Sequence, residues 1–94
     1  MGYIVTKFEP TPNPNAMKCV LDRAVISAED APRSYRSIAS ARDDPVAAAL
    51  FGIGPAGAVT GVLINSGWIT VNKSPEADWK RVKQCVRDAL AGVP

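Results

Sequence analysis

The sequence predicts an α+β domain, a mixed, mostly antiparallel sheet of four to five strands with two helices packed on one face. Three observations carry that expectation. Asp44-Pro45 and Ser74-Pro75 each place a proline behind a capping residue, and apolar residues at helical spacing follow both. Two runs of strand formers, residues 58–64 and 68–72, are joined by Asn65-Ser66-Gly67, a loop length and composition suited to an antiparallel hairpin. Short β-branched and aromatic runs nearer the N-terminus supply further strands. Two amphipathic helices cover only one face of such a sheet, so the other face is left to solvent or to a partner.

Residues 3–8 are rich in β-branched and aromatic side chains and stop at Glu9-Pro10, as a first strand does, with Ile4 and Phe8 on a shared face. The stretch Thr11-Pro12-Asn13-Pro14-Asn15-Ala16-Met17-Lys18 comes next. Its prolines fix φ and remove two donors, and its asparagines close side-chain-to-backbone turns, so it reads as a shaped polar loop leading into a strand. In that strand Met17, Cys19 and Leu21 alternate with Lys18 and Val20, and the first set is the expected core face. Residues 22–32 fit two descriptions: Ala24-Val25-Ile26 suits a short strand, while the residues from Ser27 to Pro32 form a turn that proline keeps from becoming a helix. Arg33 to Ser37 is extended, with Tyr35 as its packing residue.

The Asp44 carboxylate is placed to accept from the open N–H groups of a first helical turn, and Asp43 adds a second favourable charge there. Val46, Ala47, Leu50 and Phe51 then form one apolar stripe, and Gly52 and Gly54 end the helix by adopting the left-handed closing conformation. In the hairpin, Gly67 is expected to be the left-handed residue of a type I turn plus bulge, and Gly61 marks a bulge or a close approach by a helix. Ser74 caps the last helix with Pro75 as its first residue. Trp79, Val82, Val86, Ala89 and Leu90 lie on its buried face, with Cys85 at the margin, Glu76 and Lys80 as an i, i+4 pair, and Gly92 at the close.

The 94 residues support one core and one domain, spanning residues 1–94. Eleven Lys and Arg against nine Asp and Glu, interleaved along the chain, fall short of the clustered basic footprint of a nucleic-acid binder. There is no apolar run long enough to span a membrane, and the N-terminus lacks the pattern of an export signal, so a cytoplasmic protein is expected. Met1-Gly2-Tyr3-Ile4-Val5-Thr6 does fit an N-myristoylation pattern. A single acyl chain without a polybasic patch anchors only marginally, however, and Gly2 is read more simply as a small residue before the first strand.

The chain contains no histidine, so a serine nucleophile has no imidazole base. The acidic pairs Glu29-Asp30 and Asp43-Asp44 sit at a turn and a helix start, where capping accounts for them, and Lys18 and Lys73 have no evident acid partner. The expectation is therefore that this is not an enzyme. Cys19 and Cys85 are the only cysteines. They read as two buried thiols in a reducing compartment or as one disulfide, and they are too few for the four thiolates that usually hold an iron-sulfur cluster. No resident cofactor is expected.

Three segments, in order, carry a family resemblance: Thr11-Pro12-Asn13-Pro14-Asn15-Ala16-Met17-Lys18; Asp44-Pro45-Val46-Ala47 with Leu50-Phe51; and Trp68-Ile69-Thr70-Val71-Asn72-Lys73 with Asp78-Trp79. Together they resemble the N-terminal domain of Nfu/NifU-like iron-sulfur cluster scaffold proteins. In two-domain members of that family a second domain holds the cluster through a Cys-x-x-Cys pair, which these residues do not contain. Cys19 occupies a position that is usually aromatic there. The resemblance thus implies the accessory half of a scaffold, a non-catalytic interaction module that docks to a cluster carrier or client apoprotein. Two alternatives stand beside it: an iron- or cluster-binding protein using Cys19 and Cys85, or an adaptor of the same fold in an unrelated pathway.

Partner-binding candidates are Asn13, Asn15, Lys18, Trp68 and Lys73. The asparagines and Lys18 present amide and ammonium groups from a stiff loop, or else close turns and face water. Trp68 follows the hairpin turn, placed either to anchor an interface or to pack at the sheet edge. Lys80, Lys83 and Arg87 make a basic stripe on the last helix, readable as a solvated face or as a contact for an acidic partner.

Overall fold

In the computed structural model, which describes residues 2–54 and 57–93, the chain runs β1 (Val5–Pro10), β2 (Ala16–Leu21), β3 (Arg33–Tyr35), α1 (Ile38–Ala41), α2 (Pro45–Phe51), β4 (Val59–Ile64), β5 (Trp68–Lys73) and α3 (Trp79–Ala91). The strands form one sheet in the order β1-β2-β5-β4-β3, and every neighbouring pair is antiparallel. This is the expected α+β architecture, with no parallel pair among the described residues and with a short extra helix, α1. Its single turn is held by a reciprocal cap between Ser37 and Ser40.

Alternation along the central strands separates the two faces. Cys19, Ile69, Val71, Val62 and Ile64 are buried against Ala47, Leu50 and Phe51 of α2 and Val82, Val86 and Leu90 of α3. The apolar stripes expected on both helices are those that pack. Tyr35 is half-buried against the same core.

Several local expectations are corrected. Ile4 is 64% exposed and precedes the strand; a register shift between Val5 and Lys7 turns Val5, rather than Ile4, onto the core face with Phe8. Residues 24–26 form no strand, although Ile26 is buried. The last helix begins at Trp79 with Asp78 as its cap, not at Pro75 with Ser74. Ser74 instead closes a turn through its carbonyl to Ala77 N–H, which leaves Glu76 outside the helix and without the Lys80 pair. Of the helix-ending glycines, Gly54 is left-handed, whereas Gly52 and Gly92 close their helices in right-handed conformation.

The hairpin forms as expected, but Gly67 is not left-handed. Its carbonyl accepts from Leu21 N–H and that of Ser66 accepts from Val25 N–H, so contact with the end of β2 and the segment after it shapes the loop. The register of β4 against β5 shifts between Val59 and Gly61, the bulge that Gly61 suggested. At the N-terminus, a side chain at Gly2 would run into the Ala91 carbonyl, which explains a small residue there; Met1 of the acylation pattern lies outside the described residues.

Candidate functional site

The sheet face away from the helices carries Lys18 and Val20 of β2, Trp68 and Thr70 of β5 and Leu63 of β4, all half-buried. The register sets Val20 directly opposite Trp68, and Lys18 opposite Thr70, which in turn faces Leu63. Lys18 and Trp68 are therefore diagonal neighbours, within reach of long side chains. The Lys18 ammonium lies 4.7 Å from the Trp68 ring centroid, a cation–π contact. Glu9 on β1 reaches Lys7 at 2.9 Å and Lys18 at 3.6 Å. A hydrogen bond from Lys7 and its charge, with Lys18 adding to them, hold the Glu9 carboxyl below its ordinary range. The result is an apolar strip, Val20, Trp68 and Leu63, edged by an ordered lysine and left uncovered by any described element.

The other three candidates lie together elsewhere. Lys73 ends β5 on the helix-covered side and is only 7% exposed. Its ammonium donates to Asn15 Oδ1 at 3.1 Å and to the Ser74 carbonyl at 3.3 Å, and lies 5.4 Å from the Trp79 ring centroid. The Trp79 indole N–H donates to the Pro14 carbonyl at 2.8 Å, and the Lys73 backbone N–H to the Asn15 carbonyl at 2.8 Å. Asn13 Oδ1 accepts from Asn15 N–H at 2.9 Å, while its carbonyl accepts from Ala16 N–H. Thr11 Oγ1 donates to the Asn13 and Ala16 carbonyls. The loop is thus pinned at its base by its own asparagine and threonine and at its tip by β5 and the start of α3. Sequence reasoning treated Trp79 as part of an apolar stripe and missed this role; its position directly after a capping aspartate was the available signal.

Asp44 forms a third polar centre, 7% exposed. One oxygen accepts from Val46 and Ala47 N–H at 3.1 and 3.3 Å; the other accepts from the Tyr35 hydroxyl at 2.8 Å and lies 3.5 Å from Arg33. Burial, with the hydrogen bond to Asp44 and its charge adding, pushes the Tyr35 hydroxyl up. This centre joins the edge strand to α2.

The two thiols are free and in different surroundings. Cys19 is 1% exposed beneath the sheet–helix core, and burial pushes its thiol up to about 12, only partly offset by Lys83 and Arg87. Cys85 is half-buried and lines a cleft of about 630 Å³ with Ile53, Ala58, Arg81 and Val82. Metal ligation requires a thiolate, which Cys19 resists. Among the described residues no group of three or more His, Cys, Asp or Glu is placed to hold a metal ion. Iodoacetamide on the native protein is accordingly expected to label Cys85 and leave Cys19 unmodified until denaturant is added; peptide mass mapping reads both sites, and rapid native labelling of Cys19 would overturn the placement.

Among the described residues no helix is long and apolar enough to cross a membrane. No curated protein matches the sequence. Solved structures that share the fold include SAV1430 from Staphylococcus aureus, 19% identical with a TM-score of 0.72, over 92% of this chain and 96% of that one; and a NifU-like protein from Saccharomyces cerevisiae, 20% identical with a TM-score of 0.80, over 94% of this chain and 76% of that one. At such identities they establish the fold alone. The family model described as "Scaffold protein Nfu/NifU N terminal" matches residues 5–93, a span that takes in the pinned loop, the Asp44 cap and the Lys73–Trp79 contact. The chain belongs to the family of Nfu/NifU scaffold protein N-terminal domains.

Proposed function

We propose that residues 1–94 act as one non-catalytic interaction module of iron-sulfur cluster assembly, docking to a cluster carrier or client apoprotein in the cytoplasm. Membership of the scaffold family supports a role in iron-sulfur assembly. The observation that carries the docking role is the uncovered sheet face, where Lys18 stacks on Trp68 beside Val20 and Leu63. A partly exposed tryptophan held by a neighbouring cation loses little rotamer freedom when a partner covers it, which suits it to anchor an interface. Lys18 and Trp68 are the contact residues in this reading. Asn13, exposed in the loop, adds an amide to the partner surface, and Asn15 and Lys73 contribute by keeping that loop in shape.

The test is anaerobic affinity capture with the wild-type chain and with Trp68→Ala, identifying bound proteins by mass spectrometry and assaying iron in the eluate. Cluster scaffolds or cluster-receiving apoproteins should be retained by the wild type. Truncation of Trp68 should weaken that retention by about 2 kcal/mol, roughly 30-fold, with circular dichroism checking that the variant remains folded. Equal retention by both proteins would remove the sheet face from the interface. Recovery of no assembly component would remove the docking role.

A further inference from the structure

Where α3 lies over β1, the half-buried Phe8 ring is flanked by two cations. The Arg87 guanidinium is 4.9 Å from its centroid and the Lys83 ammonium 5.4 Å. Arg87 also donates to the Val5 carbonyl at 3.3 Å. Lys80, exposed, lies one turn before Lys83, so the three cations follow i, i+3, i+7 spacing and occupy one stripe about 10 Å long. None of them makes an ion pair among the described residues. Within α3, four basic residues face a single acidic one, Asp88, which accepts from Gln84 at 3.1 Å.

We propose that this stripe, Lys80, Lys83 and Arg87 over Phe8, is a second docking surface, and that its occupant is a carboxylate-rich segment of a protein. It lies on the helix-covered side of the sheet and stands whether or not the Trp68 face binds a partner. The charge is unbalanced locally, so an acidic segment is the complementary occupant. Two of the cations are already ordered by the aromatic ring and a backbone carbonyl, which lowers the side-chain entropy lost on binding. The guanidinium edge remains available for paired hydrogen bonds to a carboxylate. A nucleic-acid strand is the poorer fit. The Phe8 ring already carries two cations instead of standing open for a base, and a net charge of +2 gives little long-range attraction for phosphates.

The experiment titrates isotope-labelled protein with octa-glutamate peptide at low salt, with octa-glutamine as the neutral control. Amide shifts should concentrate at Phe8, Lys80, Lys83 and Arg87, appear only with glutamate, and weaken as salt is raised. The double variant Lys80→Glu/Lys83→Glu should bind about tenfold or more weakly. Arg36→Glu, just beyond β3 at the opposite edge of the sheet, should change binding by less than about twofold. Circular dichroism checks that both variants fold; Lys80→Gln/Lys83→Gln replaces the reversal if it does not. Equal binding of octa-glutamine, equal loss with Arg36→Glu, or tighter binding of a single-stranded oligonucleotide would each overturn the proposal.

Discussion

Asp44→Ala should lower the free energy of unfolding by about 2 kcal/mol, measured by urea denaturation at neutral pH. Loss of the cap leaves Val46 and Ala47 N–H without their acceptor and accounts for about 1 kcal/mol. The remainder comes from the other carboxylate oxygen, whose removal takes the acceptor from the part-buried Tyr35 hydroxyl; partial access to solvent keeps that cost to about 1 kcal/mol. The Arg33 contact adds little, because that side chain is half-exposed to solvent. Asp44→Asn keeps an oxygen for the cap and should cost about 1 kcal/mol. In the Tyr35→Phe background Asp44→Ala should cost less than in the wild type, since the stranded hydroxyl is gone. A total near 1 kcal/mol for Asp44→Ala would show that only the cap contributes.

Alkaline pH should weaken the same fold. The folded-state values of both Tyr35 and Cys19 lie above their ordinary ones, so the stabilising contribution is complete below the unfolded values. For Cys19 it is lost as pH rises from the ordinary thiol value of about 8.5 towards about 12. Cys19→Ala should flatten that part of the stability–pH curve; an unchanged slope would exclude Cys19 as its source.

Trp79→Ala should cost a further large increment, about 3 kcal/mol, and should do so by releasing the loop between β1 and β2. The indole packs on the core, donates to the Pro14 carbonyl and lies beside the Lys73 ammonium. Lys73 is nearly buried without a carboxylate partner among the described residues, so its environment depends on Asn15, the Ser74 carbonyl and this ring. Trp79→Phe keeps a ring and loses only the N–H, and about 1 kcal/mol is expected. Hydrogen exchange gives the local test: the Asn15, Ala16 and Lys73 amides should lose protection in Trp79→Ala by more than those of β4 do. Uniform loss across the sheet would mean that the tryptophan acts only as core volume.

How much of this was legible follows from the range of each signal. The Asp44-Pro45 start was readable because a cap and the groups it satisfies lie within three residues. The same signal at Ser74-Pro75 misled. Ser74 is engaged by Ala58 through its N–H and by Lys73 and Ala77 through its carbonyl, and the helix waits until Trp79 can reach Pro14. Gly67 misled for a similar reason, since hydrogen bonds from the last residue of β2 and from the segment after it determine its loop. Of the candidate contact residues, Lys18 and Trp68 are joined by a register no short-range pattern contains, and Lys73 shares the covered side with Ile69 and Val71 by strand alternation.

The sequence by itself determined the α+β class, the buried stripes of α2 and α3, the core face of β2 and the family. Those depend on periodicity, alternation and capping, which act within a turn or a few residues. Only the tertiary structure decided which polar groups meet: Lys18 with Trp68 on the open face, Asn15 with Lys73 and Trp79 around the loop, Tyr35 with Asp44 across the edge strand, and Phe8 beneath Lys83 and Arg87. These contacts follow from strand order and from the register shifts beside Val5 and Val59. A slip of one residue reverses the face of every side chain beyond it, so the meeting points are properties of the assembled sheet.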